Sequence, residues 1–295
     1  MWNKKELLAS ALRSGGVLSL VRHLPSWKQQ ELRVLAYHRV FDFGAEHDFP
    51  FDPELISAST ANFEDQVEYV AERFSPVTCE DILTALQGGK PLPRRAVLIT
   101  FDDGHVDNYT HAFPVLKRMG VPATIFLSTA YISSEGTFWF DQVANALFRA
   151  PSGPIAIPGL ETTLILSDVA SRRTATAEVL QFLKGVPDIR RCELVSWIVD
   201  TVKPHAKSED AVLSGALTWD QVREMSQAGI EFGSHAVSHP VLTRLDDVAL
   251  ELELVASRAT ISKKVGQPVN IIAYPEGLET AFDDRVLAAV QRAGY

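Results

Sequence analysis

Val97-Leu98-Ile99-Thr100-Phe101-Asp102-Asp103-Gly104 is the stretch on which the fold turns. Five apolar or β-favouring residues run straight into two adjacent carboxylates and a glycine, the signature of a buried strand that ends in a polar turn. α/β proteins place their sites at such carboxyl ends. Two neighbouring anions repel, so a cation is expected to offset them. Consecutive residues leaving a strand point different ways, which lets one acid hold a metal while the other faces substrate. A second run, Gly233-Ser234-His235-Ala236-Val237-Ser238-His239-Pro240, also follows a short apolar strand. Its two imidazoles, four residues apart, meet if the stretch makes a helical turn. One carboxylate and two histidines leave coordination positions open for water and substrate, the catalytic rather than the closed structural pattern.

Outward from these two runs the chain alternates apolar strands with helical periodicity. Strands are expected at Val34–Tyr37, Val97–Phe101, Ala123–Leu127, Ile230–Gly233 and Ile271–Tyr274, with a weaker one at Pro76–Val77. Capping-box spacing opens helices at Thr78/Asp81 and Thr218/Gln221. Asp246 opens a third helix, expected to bury Ala249, Leu252, Ala256 and Ala259 and to stop near Gly266. Such alternation predicts an α/β domain with a mainly parallel sheet, open or closed as a barrel, over residues 33–295. Residues 139–217 break the rhythm with a Pro/Gly-rich start, a hairpin over Ile155–Leu166 and polar helices, and read as an inserted small subdomain.

The 295 residues carry a net charge of −9, which argues against a nucleic-acid partner. Cys79 and Cys192 are too few for a disulfide scaffold and read as free thiols, which fits a cytoplasmic setting. No apolar run is long enough to span a bilayer. Residues 1–33, however, carry net +4, with two short apolar helical stripes flanked by Trp2 and Trp27. This basic amphipathic segment (1–32) is expected to be retained rather than cleaved as a signal. It either packs on the body of the protein or, through residues 1–30, rests on the inner face of the cytoplasmic membrane.

Thr100-Phe101-Asp102-Asp103-Gly104 together with His235-x-x-x-His239-Pro240 resembles the polysaccharide deacetylase family, carbohydrate esterase family four with its NodB-like domain. Leu35–Val40, Pro122–Leu127, Leu217-Thr218-Trp219 and Ala273-Tyr274-Pro275-Glu276-Gly277 extend the likeness over most of residues 33–295. The resemblance implies a distorted (β/α)7 barrel and removal of acetyl groups from an N-acetylated, less often O-acetylated, sugar in a polysaccharide or lipid-linked glycan. It implies Asp102 as general base, and Asp103, His235 and His239 as ligands of a divalent ion, Zn²⁺ or another transition metal. It also implies an oxyanion-binding backbone N–H at Glu276, beside Tyr274.

Three positions depart from the family pattern. Ala273 stands where an arginine often orients the base, and Ala236 where a Ser or Thr commonly follows the first histidine. The family's late histidine acid has no counterpart before Tyr295, which suggests a barrel lacking its last strand. His38 is the candidate acid in its place, against the alternative of a core histidine. Tyr37, Trp139 and Trp219 are either sugar-stacking faces or core residues, and His105 is expected at the surface. His23, His47, His111 and His205 carry no motif. Two competing readings remain: a non-haem iron oxygenase, which also uses two histidines and a carboxylate, and a non-catalytic carbohydrate- or membrane-binding protein.

Overall fold

The computed structural model describes residues 31–42, 49–134, 136–202 and 213–295. The basic segment expected to meet a membrane lies outside the described residues, as do His23, His47 and His205. No described helix is long and apolar enough to cross a bilayer.

The fold is a distorted α/β barrel built on a parallel sheet. Strands β1 (Leu32–Tyr37), β5 (Ala96–Phe101), β6 (Thr124–Leu127) and β9 (Glu231–Ser234) pair in that order, and β4 (Ser75–Pro76) joins the start of β5. Every residue of β5 is buried, as its unbroken apolar run predicts. A short parallel pair, β2 (Arg39–Val40) and β3 (Ile56–Ala58), follows directly from β1. Register decides where the chemistry goes. Tyr37 pairs with Phe101, Phe101 with Ile125, and Leu127 with Ser234. The residues that follow these strand ends, His38, Asp102, Ser128 and His235, are therefore delivered to one rim. Gly233 is required on β9, because a Cβ there would lie 2.5 Å from the Phe126 ring.

The expected strand Ile271–Tyr274 forms only as a bridge between Ile272 and Ser234. This stretch holds the site by single backbone contacts rather than by a ladder.

Helices α1 (Thr60–Arg73), α2 (Cys79–Leu86), α3 (Phe113–Met119), α7 (Trp219–Gln227) and α8 (Asp247–Val265) lie between the strands. Capping boxes at Thr78 and Thr218 and the Asp246 cap open α2, α7 and α8, and left-handed Gly266 ends α8. The α8 face is corrected. Leu250, Leu254, Ser257 and Ile261 are buried, whereas Leu252 is 63% exposed. The helix carries two apolar stripes, so periodicity alone does not choose between them, and the bulkier one takes the core. Helix α9 (Asp284–Ala293) packs against α8.

Between β6 and α7 stand helix α4 (Trp139–Arg149), hairpin β7–β8 (Gly153–Ala156 and Thr163–Leu166), and helices α5 (Val169–Gly185) and α6 (Asp188–Val202). These elements enclose a hydrophobic core of their own, centred on Phe138, Leu147, Val179, Leu183 and Ile198.

Candidate metal centre

Asp102 and Asp103 leave β5 into a tight turn. The Asp102 N–H donates to the Tyr37 carbonyl at 3.0 Å, and the Gly104 N–H returns to the Asp102 carbonyl at 2.9 Å. Asp103 takes a left-handed φ of 72° and Gly104 one of 88°. A side chain at Gly104 would also meet Leu127 at 2.7 Å. This kink separates the two acids: Asp103 is buried at 1% exposure, while Asp102 faces the pocket half-buried.

The two histidines converge without the expected helical turn. Residues 235–239 form an irregular loop in which Ala236 and His239 are left-handed, with φ of 64° and 55°. Five successive carbonyls of this loop each accept one hydrogen bond. The donors are Ser128 Oγ to His235, the Thr129 N–H to Ala236, the Ala130 N–H to Val237, Tyr131 Oη to Ser238, and Trp139 Nε1 to His239. On the other side Glu253 of α8 accepts from the Val237 and Ser238 N–H groups at 2.6 and 3.0 Å, and from Ser238 Oγ. Of the six described non-glycine residues with positive φ, Asp103, Ala236, His239 and Glu276 all lie at this site. Such strain, on the order of 1–3 kcal/mol each, persists where surrounding structure over-determines it.

The resulting cluster suits a metal ion. Asp103 Oδ1 lies 3.1 Å from His239 Nε2 and 3.6 Å from His235 Nε2. Bonds of about 2.0–2.1 Å at tetrahedral angles put ligand atoms about 3.3 Å apart, between these two values. One ligand atom from each of the three residues falls within 4.8 Å of the others. His235 Nδ1 lies 2.8 Å from the Ala273 carbonyl, which requires the proton on Nδ1 and leaves the Nε2 lone pair for a metal. Asp103 Oδ1 is buried without a hydrogen-bond partner among the described residues. A buried anionic oxygen in that state is costly unless a cation meets it.

The electrostatics agree. Burial works to raise the Asp103 pKa, but the charge of His239 and the close His105 ring hold it well below the ordinary carboxylate range. Burial lowers His235, whereas at His239 the neighbouring Asp103 overrides burial and leaves the pKa raised.

The cluster forms the floor of a cavity of about 560 Å³. His38 and Asp102 line one part of it, Tyr274 and Glu276 another, and Leu180 and Lys184 of α5 a third. Glu276 pairs with Lys184 at 2.9 Å, and Tyr274 stacks on Phe282. Trp219 is not among the lining residues. It is buried in the barrel core, its N–H held by Ser133 Oγ, because it opens α7 rather than ending a strand. Tyr37 is likewise core, its hydroxyl bound to Gln66, and Trp139 is the buried anchor of the His239 carbonyl.

His105 is also corrected, being completely buried beneath Asp103 under the Phe138 ring. The sequence reading missed Asp107 and Asn108 as well. Asp107 pairs with buried Arg39 at 2.8 Å and accepts from the Val40 N–H, while Asn108 Nδ2 donates to the His38 carbonyl. Together they fix the backbone that carries His38. The available signal was Arg39 itself, a cation inside an apolar strand that needs a buried acid.

A family model described as "Polysaccharide deacetylase" matches residues 89–295. The poly-β-1,6-N-acetyl-D-glucosamine N-deacetylase of Escherichia coli is 35% identical over 106 residues, 36% of this chain and 15% of that protein. The Staphylococcus aureus protein of the same name is 28% identical over 126 residues, 40% of this chain and 43% of that one. The chain thus spans less than half the length of either relative. Among solved structures, the Streptococcus pyogenes deacetylase PplD in complex with acetate superposes with a TM-score of 0.57 at 20% identity, covering 90% of this chain and 80% of that one.

Proposed function

The chain belongs to the polysaccharide deacetylase family, and on that footing we propose that it is a metal-dependent hydrolase releasing acetate from an N-acetylated sugar of a polysaccharide or lipid-linked glycan. The observation that carries this reading is the buried Asp103–His235–His239 cluster at the floor of an open cavity. The two relatives named for N-acetylglucosamine polymers support the choice of amide over ester.

Asp103, His235 and His239 would hold the ion, Zn²⁺ or another transition metal. When bound, such an ion lowers the pKa of water towards neutrality and polarises an acetyl carbonyl. Asp102, on the same rim but facing the cavity, takes the proton from the attacking water. The backbone N–H of Glu276 donates to the developing oxyanion. His38 returns a proton to the departing sugar amine, so that amide and water become acetate and amine. Tyr274, held against Phe282, offers an aromatic wall to the sugar ring.

The test is acetate release from N-acetylglucosamine oligomers, with and without chelator. Chelation should abolish release and zinc restore it. Asp102→Asn should keep the metal and lose about 10²- to 10⁴-fold in kcat, and His38→Ala should likewise keep the metal and slow turnover. Full activity in either variant removes the role assigned to that residue. A metal-loaded protein that releases no acetate from any N-acetylated glycan would instead favour a binding role.

A further inference from the structure

Beneath the three ligands lie two buried polar side chains that the reaction described above leaves without a task. His105 is fully buried, and neither of its ring nitrogens has a hydrogen-bond partner among the described residues. Its Nε2 stands 3.4 Å from Asp103 Oδ2, at the long end of hydrogen-bonding range. Asp141, the third residue of α4, is also fully buried, with both carboxylate oxygens unpartnered among the described residues. Each group left unsatisfied costs on the order of 1–3 kcal/mol, more for a charge, so two such groups are a liability that apolar side chains would not carry.

The surroundings keep both groups in place. The His105 ring packs 4.6 Å from Phe138, and Phe138 stacks on Phe140, whose edge meets His239. Residues 104–106 are tied to 215–217 by the Leu217 N–H to Gly104 and the Val106 N–H to Gly215. One short run, Phe138-Trp139-Phe140, therefore touches both His105 and His239.

We propose that His105 is a positioning residue for the metal centre. His105 presents an N–H to Asp103 Oδ2, which keeps Oδ1 turned towards His235 and His239. The inference rests on reading Asp103 as a metal ligand. It ties the barrel's ligand to the start of the inserted segment, whose Phe138 ring covers His105.

Zinc affinity of the full chain, measured by competition with a chromophoric chelator, tests this independently of turnover. His105→Phe extends the Phe138 stack but lacks a donor, and should weaken zinc about 10- to 100-fold, the usual effect of losing an outer partner. His105→Gln, which keeps an N–H near the Nε2 position, should recover most of that loss. His105→Met replaces His105→Phe if the latter does not fold. Unchanged affinity in the donor-less variant, with zinc binding lost in Asp103→Ala, overturns the proposal and leaves the metal centre standing. A Gln variant as weak as the Phe variant reduces His105 to packing. Wild-type protein that binds no zinc removes the premise itself.

Discussion

At the residue scale, the proposed metal centre is an arrangement of protonation states as much as of distances. A metal takes neutral imidazoles and an ionised carboxylate. His239 has a raised pKa because Asp103 sits beside it, so near and below that value the ion must displace its proton. Apparent zinc affinity should therefore fall as pH falls through the raised His239 pKa, by about tenfold per unit for each proton displaced. His235, lowered by burial, adds its own proton only at more acidic pH. Calorimetry in buffers of different ionisation enthalpy should count close to one proton released per zinc just below the His239 pKa. Affinity that stays flat from roughly pH 8 to pH 5 would contradict the assignment. Asp102, Asp103, His235 and His239 were legible in the sequence because each follows an apolar run, and that context separates a site from a solvated turn. The burial of His105 was not legible, since the ring that covers it, Phe138, comes from an element 33 residues further on.

The element that matters most is the loop 235–239. Four-residue spacing suggested a helical turn, but spacing does not report the hydrogen bonds that a neighbouring loop supplies. Here residues 128–131 and Trp139 take the carbonyls, and Glu253 takes the N–H groups, in place of a helix's own ladder. Glu253→Ala leaves the Val237 and Ser238 N–H groups unpaired and should cost about 2–6 kcal/mol in urea unfolding, at roughly 1–3 per orphaned donor. It should weaken zinc as well, and Glu253→Gln should fall between wild type and Ala. Unfolding and zinc binding both unchanged in Glu253→Ala would mean that the loop holds its shape without the clamp. The failed strand at Ile271–Tyr274 carries the same lesson. Its apolar run is real, but it pairs only around Ser234, which bonds the Ile271 carbonyl and the Ala273 N–H, and the Ala273 carbonyl is turned to His235.

For the whole molecule, alternation of strand and helix was enough to read an α/β fold with its site at the carboxyl rim. What it could not show is how the 139–217 segment joins in. Its helices supply Leu180 and Lys184 to the cavity and Trp139 to the loop. Arg39 connects the parts, pairing with Asp107 beside the Asp turn and donating to the Leu213 carbonyl after the inserted helices. Asp107→Ala strands a buried guanidinium and should cost about 3–5 kcal/mol, whereas an apolar Arg39→Met/Asp107→Leu double variant should cost less. Equal losses would show that the pair's charge is not what matters.

The most direct measurement is anomalous diffraction from a zinc-soaked crystal. The account predicts one peak about 2.0–2.2 Å from Nε2 of His235, Nε2 of His239 and a carboxylate oxygen of Asp103, absent in Asp103→Ala and retained in Asp102→Asn. A zinc-saturated crystal with no density among those three side chains would contradict it.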